Sequence, residues 1–101
     1  MATDIQTVAI AQGAAGSTEL VAAVAGKSVE VLAFHVTLDA AGTAKFRDGD
    51  TDLTGAVPLP TNGQWAQQAN FALFRTGAGE ALNIVSGTGK AFGYATYRVV
   101  G

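Results

Sequence analysis

The sequence predicts an all-β domain, an antiparallel β-sandwich of about eight short strands with a jelly-roll-like winding. Three observations lead there. The stretch Ser28–Leu38 (SVEVLAFHVTL) runs eleven residues without Gly or Pro and is dense in Val, Leu, Phe and Thr, the composition of a long central strand. Turn-forming Gly, Asp and Asn recur at a spacing of about ten residues between shorter runs of the same kind. At 101 residues the chain holds one domain, residues 1–101, with room for a single core.

Side chains of a strand alternate between faces. In the central strand, Leu32, Phe34, Val36 and Leu38 are therefore expected in the core, with Val29, Val31, Ala33, His35 and Thr37 opposite. Upstream, residues 5–11 suit a strand that buries Val8 and Ile10, and 12–16 (QGAAG) form a small-residue linker. Residues 1–16 are the segment best suited to serve as a strand or arm exchanged with a neighbour, because the linker is pliant. Residues 17–24 (STELVAAV) fit either a strand or a short helix capped by Ser17 or Thr18. Strand is preferred because its surroundings are all β.

Beyond the central strand, 39–42 (DAAG) turns the chain into a short strand 43–47 with Phe46 inward. An acidic bend, 48–52, leads to Leu53, Val57 and Leu59, whose neighbours Pro58 and Pro60 mark an edge or irregular strand. Asn62-Gly63 is a two-residue turn signal joining 57–59 to 64–67. Residues 70–75 (NFALFR) read as a strand with Phe71 and Leu73 alternating against Phe74, and both of its faces are apolar. Leu82 and Ile84 point inward from the next strand, Gly87-Thr88-Gly89 forms a hairpin turn, and 90–100 is the last strand. The expected core is Leu32, Phe34, Val36, Phe46, Leu53, Phe71, Leu73, Leu82 and Ile84.

Composition narrows the function. Six Lys plus Arg against eight Asp plus Glu give a net charge of −2 with no basic run, so nucleic acid is not an expected partner. No apolar run reaches the eighteen or so residues of a membrane helix, and no targeting segment is visible at the N-terminus, so a soluble protein is expected. With no Cys, disulfides and thiolate metal sites are excluded. Only 14% of residues are charged, against about a quarter in ordinary soluble domains, while 49% are hydrophobic. An exterior so poor in charge suggests that much of it meets other protein. The interface candidates are Ile5, Val8, Val29, Val31, His35, Trp65 and Phe74.

Chemical motifs are incomplete. Asp48, Asp50 and Asp52 have the spacing that opens a calcium loop, but Leu53 and Leu59 stand where the tight-turn Gly and the bidentate Glu belong. The competing reading is an acidic turn bonded to nearby backbone N–H groups. Gly87-Thr88-Gly89-Lys90 falls short of a phosphate loop, since Ile84 and Ala91 replace its required Gly and hydroxyl residue. His35 is the single imidazole, no hydroxyl sits in a nucleophile elbow, and Glu19, Glu30 and Glu80 have no spacing that argues for a catalytic pair. No catalytic residue and no cofactor other than calcium is assigned, and an enzyme is not expected. Trp65, Tyr94 and Tyr97 are candidates for stacking on sugar rings.

Taken together, Val31-Leu32-Ala33, residues 46–55 (FRDGDTDLTG), residues 76–82 (TGAGEAL) and the ending 94–99 resemble small β-sandwich structural proteins of tailed bacteriophages. The acidity of Asp48 and Asp50 departs from that pattern, in which small polar residues are expected. The resemblance implies a virion protein on the capsid surface or an appendage: a cement or decoration protein that binds the major capsid protein or another virion protein and forms a homo-oligomer, with a trimer favoured. The alternative is a carbohydrate-binding head or tail appendage domain used in host attachment.

Overall fold

The computed structural model describes residues 4–49 and 51–101. All of its regular structure is β: β1 Gln6–Ala11, β2 Gly16–Val21, β3 Ser28–Leu38, β4 Gly42–Asp48, β5 Thr51–Asp52, β6 Val57–Leu59, β7 Gln64–Gln68, β8 Phe74–Arg75, β9 Leu82–Ser86 and β10 Ala91–Val100. Two antiparallel sheets pack face to face. The first (sheet A) has the order β1-β10-β3-β7, with β8 also paired to β3; the second (sheet B) has the order β2-β9-β4-β5, with β6 also paired to β4. Setting aside the two-residue strands β5 and β8, the first strand pairs with the last, the second with the next to last, and so inward. This is the winding of a jelly roll. The ambiguous segment 17–24 is a strand as far as Val21.

Most connections cross from one sheet to the other, which corrects the hairpin expected at 87–89. Asn62-Gly63 links β6 in sheet B to β7 in sheet A. Asn62 takes a left-handed φ of 59° and its N–H donates to the Leu38 carbonyl at 2.7 Å, tying the crossing to β3. The 87–89 turn likewise links β9 to β10 across the sandwich. There Gly89, with φ at 79°, lies so close to Ala40 that a Cβ would stand 2.6 Å from the Ala40 carbonyl oxygen. The Asp39 carboxylate accepts the Lys90 N–H at 2.6 Å in the same place.

The core holds Ile10, Val29, Val31, Phe34, Val36 and Leu38 from sheet A, and Val21, Ala44, Phe46, Leu82 and Ile84 from sheet B. An aromatic cluster bridges the sheets at one end: Phe34 meets Phe46 edge-on at 4.9 Å and Trp65 at 4.7 Å, and Phe46 lies 5.1 Å from Phe74. Such pairs add about 0.5–1.5 kcal/mol each beyond burial.

Three expectations about the core fail, and two share a cause. Thr96 pairs with Ala33 but Tyr97 pairs with Val31, so Leu32 is an extra residue in β3, a β-bulge. The bulge inverts the alternation. Val29 and Val31, expected on the outer face, turn inward and are 2% and 0% exposed, while Leu32 is buried apart from the main cluster. The third failure is the strand expected over 70–75, of which only Phe74 and Arg75 pair. The Ala69 N–H donates to the Leu32 carbonyl and the Leu73 N–H to the Val31 carbonyl. The chain between them loops away, leaving Phe71 67% exposed.

Candidate functional site: the uncharged outer face of sheet A

The strand registers assemble the outer face of sheet A row by row. Thr7, Thr96, Ala33 and Gln68 lie side by side across β1, β10, β3 and β7; Ala9, Tyr94, His35 and Ala66 form the next row; Ala11, Phe92, Thr37 and Gln64 form the third. None of these twelve side chains is Asp, Glu, Lys or Arg. Small residues on the edge strand keep the face flat, and Phe92 and Tyr94 rise from its middle at 38% and 44% exposure. The Tyr94 ring stacks on His35 at 6.0 Å with 15° between planes. Thr7 and Thr96 share a hydroxyl–hydroxyl hydrogen bond of 3.2 Å.

Beyond the bulge the character of the face changes. Glu30 lies beside Arg98, whose Nε donates to its Oε1 at 2.7 Å, and Arg75 Nη1 stands 3.5 Å from Oε2. This triad closes one end of the neutral rows.

The outer face of sheet B is its opposite in charge. Glu19, Asn83, Arg47 and Asp52 form one row, with Ser17, Val85 and Lys45 beside it. Asp52 is paired with Lys45 Nζ at 3.1 Å and Arg47 Nε at 3.4 Å. Opposite charges placed side by side in water favour solvation of that face over burial under a partner.

The structure distributes the interface candidates differently from the sequence reading. His35 belongs to the neutral face. Ile5, just before β1, is 63% exposed. Val29 and Val31 offer no surface, because the bulge has turned them into the domain's own core. Val8, Trp65 and Phe74 are half-buried, packed against that core. The expected exchange segment is engaged at home: β1 pairs with β10 along its whole length, and residues 1–3 lie outside the described residues.

Of the aromatics considered for sugar stacking, only Tyr94 presents its ring to solvent on a sheet face. Trp65 packs edge-on against Phe34, and Tyr97 packs its ring against the core while its hydroxyl donates to Gln6 Oε1 at 3.3 Å. The sequence reading missed Phe92, although its alternation with Tyr94 along β10 was visible. What it lacked was the register that sets Tyr94 beside His35 and Phe92 beside Thr37, with the alanines of β1 on one side and the glutamines of β7 on the other.

The acidic bend divides rather than converges. Asp48 extends the inward set of β4 after Ala44 and Phe46 and is 5% exposed, its Oδ2 accepting the Gly77 N–H at 2.6 Å. Asp52 sits opposite Arg47 on the outer face, and Asp50 lies outside the described residues. Asp48 and Asp52 are thus separated by the thickness of the sheet, and each has its own partner. Among the described residues no group of three His, Asp or Glu side chains is placed to hold a metal ion. A scan against protein-family models and a search of curated proteins found no match to this chain.

Proposed function

We propose that this protein is a non-enzymatic assembly module that docks the neutral outer face of sheet A on another protein, and that the surface it covers is a bacteriophage capsid, as a cement or decoration protein. The observation that carries the reading is the contrast between the two faces: twelve adjacent uncharged side chains on one, an ion-paired row on the other. Burying a neutral face avoids the desolvation cost that charged groups impose. The resemblance to virion β-sandwich proteins supplies the partner class. Association is tested by cosedimentation of the purified chain with capsids that lack it. Wild-type chain sediments with the particles; Ala66→Arg and Thr37→Glu, which place a charge in the middle of the face, lose at least about tenfold in affinity, and Lys45→Gln on sheet B does not. Equal loss from the sheet B variant, or no association by any of them, rejects the reading.

A second reading rests on the same face. Phe92 and Tyr94 share the outer face of β10 with exposed rings, the Thr37 hydroxyl lies beside Phe92, and the Gln64 and Gln68 amides lie on the same face across β3. Aromatic planes beside polar hydrogen-bonding groups suit a glycan. Glycan-array binding that disappears in Tyr94→Ala would favour an attachment domain over a capsid cement.

A further inference from the structure

The geometry points to a closed two-fold dimer in which β1 of one copy pairs antiparallel with β1 of a second copy, centred on Ala9, so that two A sheets become one. The free edge of β1 can be read from its bonded edge. The Gln12 N–H donates to the Ala91 carbonyl at 3.1 Å, in continuation of the β1–β10 register. Antiparallel pairs alternate between hydrogen-bonded and non-hydrogen-bonded. Gln12, Ile10, Val8 and Gln6 therefore bond toward β10, and Thr7, Ala9 and Ala11 aim their N–H and C=O groups away from it. Among the described residues β1 has a strand partner on that one side only.

An exposed row of backbone donors and acceptors is a template for another strand, and sheet proteins usually block it with charge, Pro, a bulge or short length. The edges of sheet B carry such blocks. β2 holds Glu19 and a register shift, β5 has two residues and an ion-paired Asp52, and β6 contains Pro58. β7, at the far side of sheet A, carries no charge but is lined by exposed Gln64, Gln67 and Gln68, and its end runs into the protruding 69–73 loop. β1 has none of these devices over six residues, and its sequence QTVAIA is uncharged.

Self-pairing fits this edge better than an arbitrary strand does. A two-fold axis at Ala9 sets Ala9 opposite Ala9 of the second copy and Thr7 opposite Ala11. All of these side chains are small and lie on the outer face, so the two neutral faces join without a step. Val8, only half-buried in one copy, gains apolar cover at the seam. The same register brings exposed Ile5 toward Gly13 of the second copy, and a Cβ at Gly13 would meet nothing within 4 Å. The large exposed side chain thus faces the position with none. The symmetry is isologous and closes at two, which departs from the trimer implied by the family resemblance.

Sedimentation equilibrium and amide hydrogen exchange on the full chain test the pairing. The expected mass is twice the 10.2 kDa of one chain, with slow exchange at Thr7, Ala9 and Ala11. Ala9→Pro removes an outward N–H without touching the bonds to β10, and Ala9→Lys sets like charges opposite each other at the axis. Either variant weakens self-association about tenfold or more. In both, protection of Val8 and Ile10 persists, which shows that the sandwich is intact. Because exchange at Thr7, Ala9 and Ala11 is read in the wild-type chain, the test stands even where a variant fails to fold. A monomer at every concentration, a trimer, a dimer that protects Ala66 in place of Ala9, or pairing only with a strand of another protein overturns the proposal. None of these results depends on whether the outer face binds capsids.

Discussion

Gln12 holds the two sheets together at one end with a single buried amide. At 3% exposure its Oε1 accepts from Ser86 Oγ at 2.8 Å and from the Ala91 N–H at 2.8 Å, while Nε2 donates to the Gly16 carbonyl at 2.8 Å and Thr18 Oγ1 at 3.1 Å. These partners come from β2, β9 and β10, so one side chain satisfies polar groups of both layers where β1 gives way to β2. Truncation leaves several of them without a partner in the interior, at about 1–3 kcal/mol for each group left unsatisfied. Gln12→Ala is therefore expected to lower unfolding stability by about 2–4 kcal/mol in urea melts. Gln12→Glu should not rescue it, because a carboxylate has no N–H to give the Gly16 carbonyl. A loss under about 1 kcal/mol for Gln12→Ala would show that the network contributes little. Nothing near Gln12 in the sequence announces this role. It stands in a run of small residues that reads as a pliant linker, and its partners lie as far away as residue 91.

At the scale of the element, β3 shows what periodicity can and cannot deliver. Its existence and bounds follow from an unbroken β-branched and aromatic run, and Phe34, Val36 and Leu38 fall inward as alternation requires. Val29 and Val31 break the phase because Leu32 is inserted, and a bulge is set by the partner strand rather than by the residues of the bulged one. The same limit explains the turns. Asn62-Gly63 fixes where the chain reverses and not which sheet receives it, and the tight spacing at Gly89 exists only because residues 39–42 pack there. Phe71 is expected in the core only if 70–75 runs as one strand, and it sits instead in the loop that bypasses the β3 edge. The corrected phase makes a direct test. Val31→Ala, which opens space in the core, should cost about 2 kcal/mol, while Thr37→Ala on the outer face should stay within about 1 kcal/mol. Similar costs at both sites, measured by chemical denaturation, would place Val31 outside the core.

Over the whole molecule, the scarcity of charge legible in the sequence becomes a matter of arrangement. On the outer faces of the two sheets, the ion pairs lie on sheet B and at the Glu30 triad, where Arg75, Arg98, Lys45 and Arg47 stand beside carboxylates, and a further pair, Lys90 with Asp39, lies in the turns at one end. Low charge suggested burial against other protein, but composition cannot say which face is spared; that depends on three pairwise registers between strands up to 89 residues apart, as the Thr7–Thr96 contact shows. The arrangement has a consequence in salt. Interactions between exposed charges fade as the screening length contracts from about 10 Å at 0.1 M ionic strength to about 3 Å at 1 M. Contacts made by the neutral rows of sheet A, and by backbone groups along β1, contain no ion pair to screen. Their affinity is expected to change by less than about threefold across that range, with apolar burial strengthened rather than weakened if sulfate is the anion. Docking through Lys45, Arg47 and Asp52 would instead weaken steadily as salt rises. Titrating salt in the capsid cosedimentation and the self-association measurements separates the two faces without any substitution, and a steep loss of binding would move the contact surface to sheet B.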